Sequence, residues 1–300
     1  MEEVHRALWT RCTAFVAAAC AGRDASHGLA HMRQVTEQAI LLYLMDASSS
    51  VAPGERSGML YRLILVGMLH DVADHKYDVD GTLHHRVSAF IAAEAAALVA
   101  HATDADPSTF SIPLPGGHTS EQEAGVARLL LTSLDAISYS KEVKRGMRWF
   151  VSALSDGSVE AASATSSWVA VRDYVSDSDK LEAIGSEGLL RCYEYTCARF
   201  RAAAAAAAAA HVQAPPPQHQ TTSIAEMEKQ LETVLLREVV DHFHDKLVRL
   251  LPLFIVTSAG KYLGAPRAAE MAAALAEWQL QGPPPVATYW RNAAVEYTPV

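Results

Sequence analysis

Apolar residues recur along this chain at steps of three and four, and this spacing constrains the fold more than any other feature of the sequence. Val35, Ala39 and Leu42 follow the spacing in one segment, and Leu235 and Val239 follow it in another. Such steps place side chains on one face of an α-helix, whereas a half-buried strand needs strict alternation. Alanine and leucine are abundant and β-branched alternation is scarce, which favours helix. The sequence therefore predicts an all-α fold.

The charge balance limits the kinds of partner that the chain can bind. Lysine and arginine total 25 against 34 acidic residues, which gives a formal net charge of −9 at pH 7. Nucleic-acid polymers are bound mainly through lysine and arginine on the phosphate backbone, so a polymer of this kind is not expected as a partner. A phosphate group on a small molecule would have to be bound locally, for example beside a divalent cation.

The cysteines and the hydropathy pattern predict a cytoplasmic protein. The four cysteines contain no C-x-x-C pair and are too few for a disulfide framework in 300 residues, which favours a reducing compartment. No stretch of about 20 strongly apolar residues is expected to span a bilayer. The short alanine-rich run at 14–21 follows an acidic start, so a signal peptide is the weaker interpretation.

Composition divides the chain into four parts. Nine consecutive alanines at 202–210 are followed by prolines at 215–217 and a polar run, which is low-complexity sequence that cannot pack specifically. The predicted parts are a helical core at 1–200, an Ala/Pro insertion or linker at 201–222, C-terminal helices packing on the core at 223–281, and an irregular tail at 282–300. Helices are predicted at about 27–45, 57–73, 87–102, 121–134, 173–200, 224–251 and 268–279.

The first candidate motif is a pair of histidines. His27 and His31 are four residues apart and share one face of the predicted helix. Imidazole is a common metal ligand, and on spacing alone either histidine could bind a metal ion. The spacing is equally compatible with two ordinary surface or core histidines.

The second candidate motif closes the apolar run at 63–69. His70 and Asp71 follow that run directly, and Asp74 and Lys76 come one turn later. Ionisable groups after an apolar run are costly to bury unless something pairs with them. The motif is therefore expected at the C-terminal end of a helix, either around a cation or as a hydrated helix terminus.

The third candidate motif is the acidic segment at 177–185. Asp177, Asp179 and Glu182 are predicted at the front of a helix, where the helix dipole favours negative charge. A capping role alone would explain them. Taken with the first two motifs, however, the order of a His, a His-Asp pair and a later Asp supplies the mixed nitrogen and oxygen ligands of one cation.

This ordered set resembles the HD superfamily of metal-dependent phosphohydrolases, and in particular its small bacterial-type branch that includes nucleoside-triphosphate pyrophosphohydrolases. The segments at 27–35, 69–76 and 177–185 are similar to the three motifs of that branch, H-D-x-x-H-x-x-R-V, L-L-H-D-x-x-D-x-K and D-A-D-R-L-D-A-I-G. The segments at 137–141 and 242–251 also resemble it. The likeness runs from about residue 5 to 280 and is interrupted by the Ala/Pro insertion.

The resemblance implies a helical HD-domain bundle and a site with named roles. One divalent cation, with Mn favoured and Co, Ni, Fe or Zn as alternatives, would be bound by His31, His70, Asp71 and Asp179. Asp74, Lys76 and His27 would act in catalysis on a small phosphorylated substrate, which in that branch is a nucleotide. Three further cations would contact this substrate, namely Arg33, Lys141 and Lys180.

The sequence departs from the branch at several positions. Gly28 replaces the usual acidic residue, Ser178 replaces alanine, and Lys180 replaces arginine. Arg33 lies two residues before Val35 instead of one, which bears on any role transferred to Arg33. The four ligand positions match the motifs.

Two other kinds of protein are compatible with the same motifs. Some relatives in the superfamily bind two irons and oxidise their substrates, with additional histidines between the His-Asp pair and the last Asp. The histidines available for that role are His84, His85, His101 and His118. A helical nucleotide-binding protein without catalysis is the other alternative. The sequence leaves the oligomeric state open.

Overall fold

The fold is all-α, as the sequence predicts. The computed structural model describes residues 2–23, 27–74, 76–78, 80–154, 161–211 and 224–284. These ranges contain eleven α-helices and two π-helical turns, and they contain no strand. The π-helical turns lie at Phe243–Leu247 and Leu250–Phe254.

The helices are numbered in chain order. They are α1 (Glu3–Ala19), α2 (Leu29–Asp46), α3 (Pro53–Leu69), α4 (Thr82–Asp104), α5 (Thr119–Ile137), α6 (Tyr139–Arg145), α7 (Val151–Leu154), α8 (Ala161–Glu182), α9 (Ser186–His211), α10 (Ile224–His242) and α11 (Ser258–Gln281).

Two compact units make up the chain. The first is Met1–Lys180 together with Phe254–Tyr262, and the second is Leu181–Leu253 together with Leu263–Val300. The predicted division at 200, 222 and 281 stays a prediction. The centre of the Ala/Pro insertion, residues 212–223, and most of the tail, residues 285–300, lie outside the described residues.

α3 forms the centre of the first unit. Every residue from Tyr61 to Leu69 is buried, which is the pattern of a helix surrounded by neighbours. α1 presents Leu8, Cys12 and Val16 to the core at steps of four, all with no exposed surface. His70, directly after α3, is therefore carried to the edge of the buried interior.

A glycine lets α2 and α3 approach closely. A Cβ atom at Gly67 of α3 would lie 2.6 Å from Thr36 Oγ1 and 3.0 Å from Thr36 Cα on α2. Thr36 has no exposed surface, and its hydroxyl donates a 2.6 Å hydrogen bond to the Met32 carbonyl. This contact fixes the spacing between the helix that carries His31 and the helix that ends at His70.

The predicted helix at 173–200 is two helices. α8 ends at Glu182 and α9 begins at Ser186. Gly185 between them has a φ of +97°, a conformation that side chains disfavour and that ends a helix. The motif at 177–185 consequently lies at the end of α8, and its prediction as the front of a helix is wrong.

Several other boundaries differ by a few residues, whereas α8 begins twelve residues and α11 ten residues before the predicted starts. α3 begins four residues before its predicted start, because Pro53 suits the first position of a helix. α9 continues through the polyalanine run to His211, as alanine's helix propensity allows. Asp24 and Ser26, residue types that suit the cap of the helix predicted from 27, lie outside the described residues.

Within the described residues, α4 is the helix that is long and apolar enough to cross a membrane. Its mean hydropathy reaches 1.2, a value that core helices of soluble proteins also attain. In this structure α4 buries Val87, Ile91 and Leu98. It also buries Glu94, whose two oxygens accept hydrogen bonds of 2.7 and 2.8 Å from Arg11 of α1.

The second unit is built from α9, α10 and the greater part of α11. Tyr193 of α9 packs edge-on against Trp278 of α11, with ring centroids 5.6 Å apart. Arg267 of α11 donates a 2.8 Å hydrogen bond to the carbonyl of Leu181, which satisfies a group at the end of α8.

Replacing Gly67 tests the close approach of α2 and α3. We expect Gly67→Ala to lower the free energy of unfolding by about 1–3 kcal/mol, because the new methyl group forces the Thr36 backbone away. Gly116→Ala is the matched control, since a Cβ there meets nothing within 4 Å. Denaturant unfolding of both variants provides the measurement. Equal stability of the Gly67 variant and wild type would contradict the close approach.

Candidate metal centre

Three side chains from distant parts of the sequence converge in the first unit. His31 lies in α2, His70 directly follows α3, and Asp179 lies near the end of α8. The two Nε2 atoms are 3.3 Å apart, and Asp179 Oδ1 is 3.5 Å from that of His31 and 3.7 Å from that of His70. Among the described residues, these side chains form a group of ligand atoms close enough to share a metal ion.

The backbone fixes the tautomer of His70. Its Nδ1 lies 2.8 Å from the carbonyl oxygen of Gly67. A carbonyl only accepts hydrogen bonds, so Nδ1 carries the proton and neutral His70 turns the Nε2 lone pair toward His31 and Asp179. Fixing a histidine through its other ring nitrogen is the usual arrangement behind a metal ligand.

The spacing of the three atoms fits a first-row transition metal. A triangle with sides of 3.3, 3.5 and 3.7 Å has a point about 2 Å from every corner, and about 2 Å is the length of a metal bond to imidazole nitrogen or carboxylate oxygen. Two nitrogens and one carboxylate oxygen suit Mn, Fe, Co, Ni or Zn. The residues present therefore fit the implied cation.

One side of the group is open. The side chains of His31 and His70 are 5% and 3% exposed, whereas that of Asp179 is 39% exposed. The two buried imidazoles would bind a cation from the interior side. Solvent or a ligand could reach that cation from the side of the Asp179 carboxylate. An accessible position is what separates a catalytic metal site from a closed structural site.

The carboxylate of Asp179 and the imidazole of His70 shift each other's pKa values in opposite directions. Burial opposes ionisation of Asp179, but hydrogen bonds from His31 and His70 outweigh it and hold the pKa of Asp179 well below its usual value. Burial likewise opposes protonation of His70, but the hydrogen bond to Asp179 and its charge raise the pKa of His70. The site thus attracts positive charge.

Asp71 lies beside the group. Burial raises the pKa of Asp71 to about 7; the charge of His70 opposes this shift and that of Asp179 adds to it. Its carboxylate is outside the group of three ligand atoms that converge among the described residues. The predicted role of Asp71 as a fourth ligand stays a prediction.

The predicted catalytic residues lie around the same turn. The Asp74 carboxylate accepts a 2.8 Å hydrogen bond from the Lys76 amide, which shapes the backbone after Asp71. The Lys76 side chain is exposed, and its positive charge opposes the rise in the pKa of Asp71 that burial causes. The His27 ring is 6.4 Å from the His31 ring between centroids. Their catalytic roles stay predictions.

The three predicted substrate contacts already have partners in the structure. Arg33 donates a 3.5 Å hydrogen bond to Thr13, and Lys141 pairs with Asp135. Lys180 is buried, with its amine 2.7 Å from Glu142. The Lys180 amine therefore lies in the interior and is not exposed at the site. The substrate roles of all three residues stay predictions.

Lys180 belongs to a buried charge network that anchors α8. Glu142 of α6 pairs with both Lys180 and Arg172 of α8, and these three side chains are at most 4% exposed. Arg172 also donates hydrogen bonds of 2.7 and 2.9 Å to the carbonyl of Ala136 in α5. Removing one member would leave a buried charge without compensation. The network holds the helix that carries Asp179.

Asp177 connects α8 to the two residues that directly precede α11. Its carboxylate, with no exposed surface, accepts hydrogen bonds from the amides of Val256 and Thr257 at 3.0 and 2.7 Å. Asp46, the last residue of α2, accepts a 2.9 Å hydrogen bond from the amide of Ala259. The prediction that Asp177 caps its own helix is wrong, because it lies inside α8 and accepts hydrogen bonds from the two residues that precede α11.

Sequence reasoning missed two residues beside the site. Arg23 contacts the turn after His70 through its guanidinium, and Tyr77 lies between Arg23 and His27. Neither belongs to the motifs at 27–35, 69–76 and 177–185. Their only signal is proximity in sequence, since Arg23 precedes the first motif by four residues and Tyr77 directly follows the second.

The histidines of the di-iron alternative do not join the group. His84 and His85 are exposed neighbours on α4, and His101 packs its ring 4.5 Å from that of Phe110. His118 forms the N-terminal cap of α5 with Glu121. Within the described ranges, none of these four lies in the converging set of metal-ligating atoms.

Comparisons with known proteins gave structural neighbours only. No family model matches the chain, and no curated protein matches it. Bacillus subtilis YpgQ, solved in complex with ADP, aligns over 93% of this chain and 97% of its own at 15% identity, with a TM-score of 0.47. An HD-superfamily hydrolase from Bacillus thuringiensis aligns over 92% and 96% at 16% identity, with a TM-score of 0.46. A Lactobacillus plantarum protein aligns over 94% and 98% at 17% identity, with a TM-score of 0.47.

Removing one ligand tests the metal centre. We expect His31→Ala to weaken Mn²⁺ or Co²⁺ binding by more than about 100-fold, because loss of an outer partner alone costs about 10–100-fold. His85→Ala, an exposed histidine outside the group, should bind like wild type. Titration against a chelating indicator measures both variants. Undiminished affinity in the His31 variant would contradict the assignment.

Removing Asp177 tests its contact with the residues that precede α11. We expect Asp177→Ala to lower the free energy of unfolding by roughly 2–4 kcal/mol, because two partly buried amides lose their acceptor. Asp104→Ala, at an exposed aspartate of α4, should change it by less than about 0.5 kcal/mol. Denaturant unfolding distinguishes the two variants. A small loss at Asp177 would show that water replaces the carboxylate.

Proposed function

We propose that this chain is a metal-dependent phosphohydrolase that acts on a small phosphorylated metabolite. The supporting observation is the mutual approach of His31, His70 and Asp179 to within 3.3–3.7 Å, from three separate helices. His31, His70, Asp71 and Asp179 would bind one divalent cation. The motif resemblance favours Mn as that cation and a nucleotide as the substrate.

The chemistry requires the cation and a defined set of protein groups. When bound, the cation supplies Lewis acidity, which polarises a phosphoryl oxygen and makes water acidic enough to react at neutral pH. His70 is held by the Gly67 carbonyl with its Nε2 lone pair facing the site. The exposed side of Asp179 leaves room for a phosphate group to approach.

The turn after His70 would complete the site. Asp74 is proposed to orient the attacking water or accept its proton, and Lys76 to balance phosphate charge as an exposed cation. His27 borders His31 and is proposed to face the phosphate. Because the protein carries an excess of acidic residues, attraction of an anionic substrate would depend on these local cations.

A nucleotide panel tests the proposed activity. With Mn²⁺, wild type should hydrolyse one class of nucleotide, and separate assays for orthophosphate and pyrophosphate identify the bond that is broken. We expect His70→Ala to lower kcat by at least about 10³-fold, because Lewis-acid stabilisation is worth several kcal/mol.

Two controls separate the alternatives. His84→Ala should retain the wild-type rate, because His84 is exposed and outside the converging group. Elemental analysis should find one metal ion per chain, whereas two irons would indicate the oxidising alternative. Full turnover by a metal-free His70→Ala/Asp71→Ala double variant would end the hydrolase proposal, and tight nucleotide binding without turnover would indicate a binding protein.

A further inference from the structure

The turn that follows α3 carries His70 and Asp71, and an arginine from another part of the chain holds its backbone. We propose that Arg23 is a positioning residue of the metal centre, which fixes the backbone of this turn and thereby the directions of the two side chains. The inference rests on the proposed metal-dependent function.

The backbone at the end of α3 needs external partners. His70 is the C-terminal cap of α3, and the following residues form successive turns with amide-to-carbonyl distances of 3.2 Å from Val72 to Leu69 and 3.3 Å from Asp74 to Asp71. The carbonyls of Asp71 and Val72 lie beyond the last turn of α3, outside the regular hydrogen-bond pattern of the helix. Their direction therefore depends on the turn itself and on the side chains that donate to them.

Arg23 supplies two of these donors. Its Nη1 donates to the carbonyl of Asp71 at 3.1 Å, and its Nη2 donates to the carbonyl of Val72 at 2.5 Å. Two donors in one rigid plane fix the relative orientation of two consecutive peptide groups. The guanidinium of Arg23 also lies near the C-terminal end of α3, where the helix dipole favours positive charge.

The Arg23 guanidinium also contacts the ring of Tyr77. Its Cζ lies 4.3 Å from the centre of the Tyr77 ring, which is within the range of a cation–π contact. The Tyr77 amide donates a 2.9 Å hydrogen bond to the Asp74 carbonyl, so the ring is attached to the same turn. Tyr77 also lies 5.4 Å from the ring of His27.

The contact therefore links both ligand-bearing segments. Gly22 before Arg23 has a φ of +82°, which lets the chain turn at the end of α1 and bring the guanidinium to the turn. On one side, the guanidinium holds the peptide groups next to His70. On the other side, the Tyr77 ring packs against His27, whose ring lies 6.4 Å from that of His31 in the first turn of α2. Loss of Arg23 should loosen the site before it loosens the core, because the hydrogen bonds that its guanidinium donates among the described residues go to this turn.

Three variants test the inference in the full-length protein. Arg23→Ala removes both hydrogen bonds, and Arg23→Lys keeps the charge but cannot donate to two carbonyls in one plane. The matched control is Arg86→Ala, which removes an exposed arginine that lies 5.9 Å from the ring of Phe15 in the same unit. The probe is Co²⁺ alone, followed through its visible absorption, with hydrogen exchange of the metal-free protein as a second measurement.

The expected results separate positioning from general stabilisation. Arg23→Ala should bind Co²⁺ about 10–100-fold more weakly with an altered absorption band, since partners behind the ligands have effects of that size. Arg23→Lys should bind Co²⁺ more tightly than Arg23→Ala but more weakly than wild type. Added methylguanidinium should partly restore Co²⁺ binding by the alanine variant. Amide exchange should rise at 72–74 but not in α3, and Arg86→Ala should match wild type.

Contrary results would overturn the inference in distinguishable ways. If Arg23→Ala and Arg23→Lys bind Co²⁺ with wild-type affinity and band shape, Arg23 does not position the centre, and the metal site itself stands. The same conclusion follows if the variants lose thermal stability while their folded fraction binds Co²⁺ normally. If wild type binds no Co²⁺, the proposed function and this inference both fail.

Discussion

The structure depends on the close approach of two imidazoles and one carboxylate near the edge of the first unit. His31 and His70 are almost fully buried, and burying such groups is unfavourable unless they pair. Asp179 and a shared cation would provide that pairing. Because the three residues come from α2, α3 and α8, the arrangement exists only if three helices hold a common geometry. Gly67 serves that geometry twice, since it allows α2 to approach α3 and its carbonyl orients His70.

The surroundings of the group explain why its members hold their positions. The buried network of Glu142, Lys180 and Arg172 fixes the end of α8, where Asp179 lies. Asp177, two residues earlier, accepts a hydrogen bond from Thr257 just before α11, and Asp46 at the end of α2 accepts one from Ala259 in the first turn of α11. The helices that supply His31 and Asp179 are thus attached to one further segment, residues 254–262, and these supports are polar and directional.

The sequence predicted a large part of this arrangement. Helical periodicity predicted the all-α fold, and the resemblance to the HD motifs implied that His31, His70, Asp71 and Asp179 would meet. The sequence could not show that Lys180 faces the interior, because its partner Glu142 is 38 residues away and no local pattern links them. Asp177 is a residue type that commonly caps helices, and only packing shows that its partners are the amides of Val256 and Thr257, 79 and 80 residues away. The end of α8 was missed for a related reason, since the turn signal of Gly185 was outweighed by the helical residues around it.

The sequence by itself determined the fold class and the types of ligand, because periodicity and residue chemistry are local properties. Tertiary structure decided which groups face one another: the 3.3 Å approach of the two imidazoles, the open side of Asp179 and the contact of Arg23 with the turn after His70. Each of these depends on how far one helix stands from another. That distance is set by close-packed side chains and backbone hydrogen bonds between segments far apart in the chain, which a linear pattern does not record.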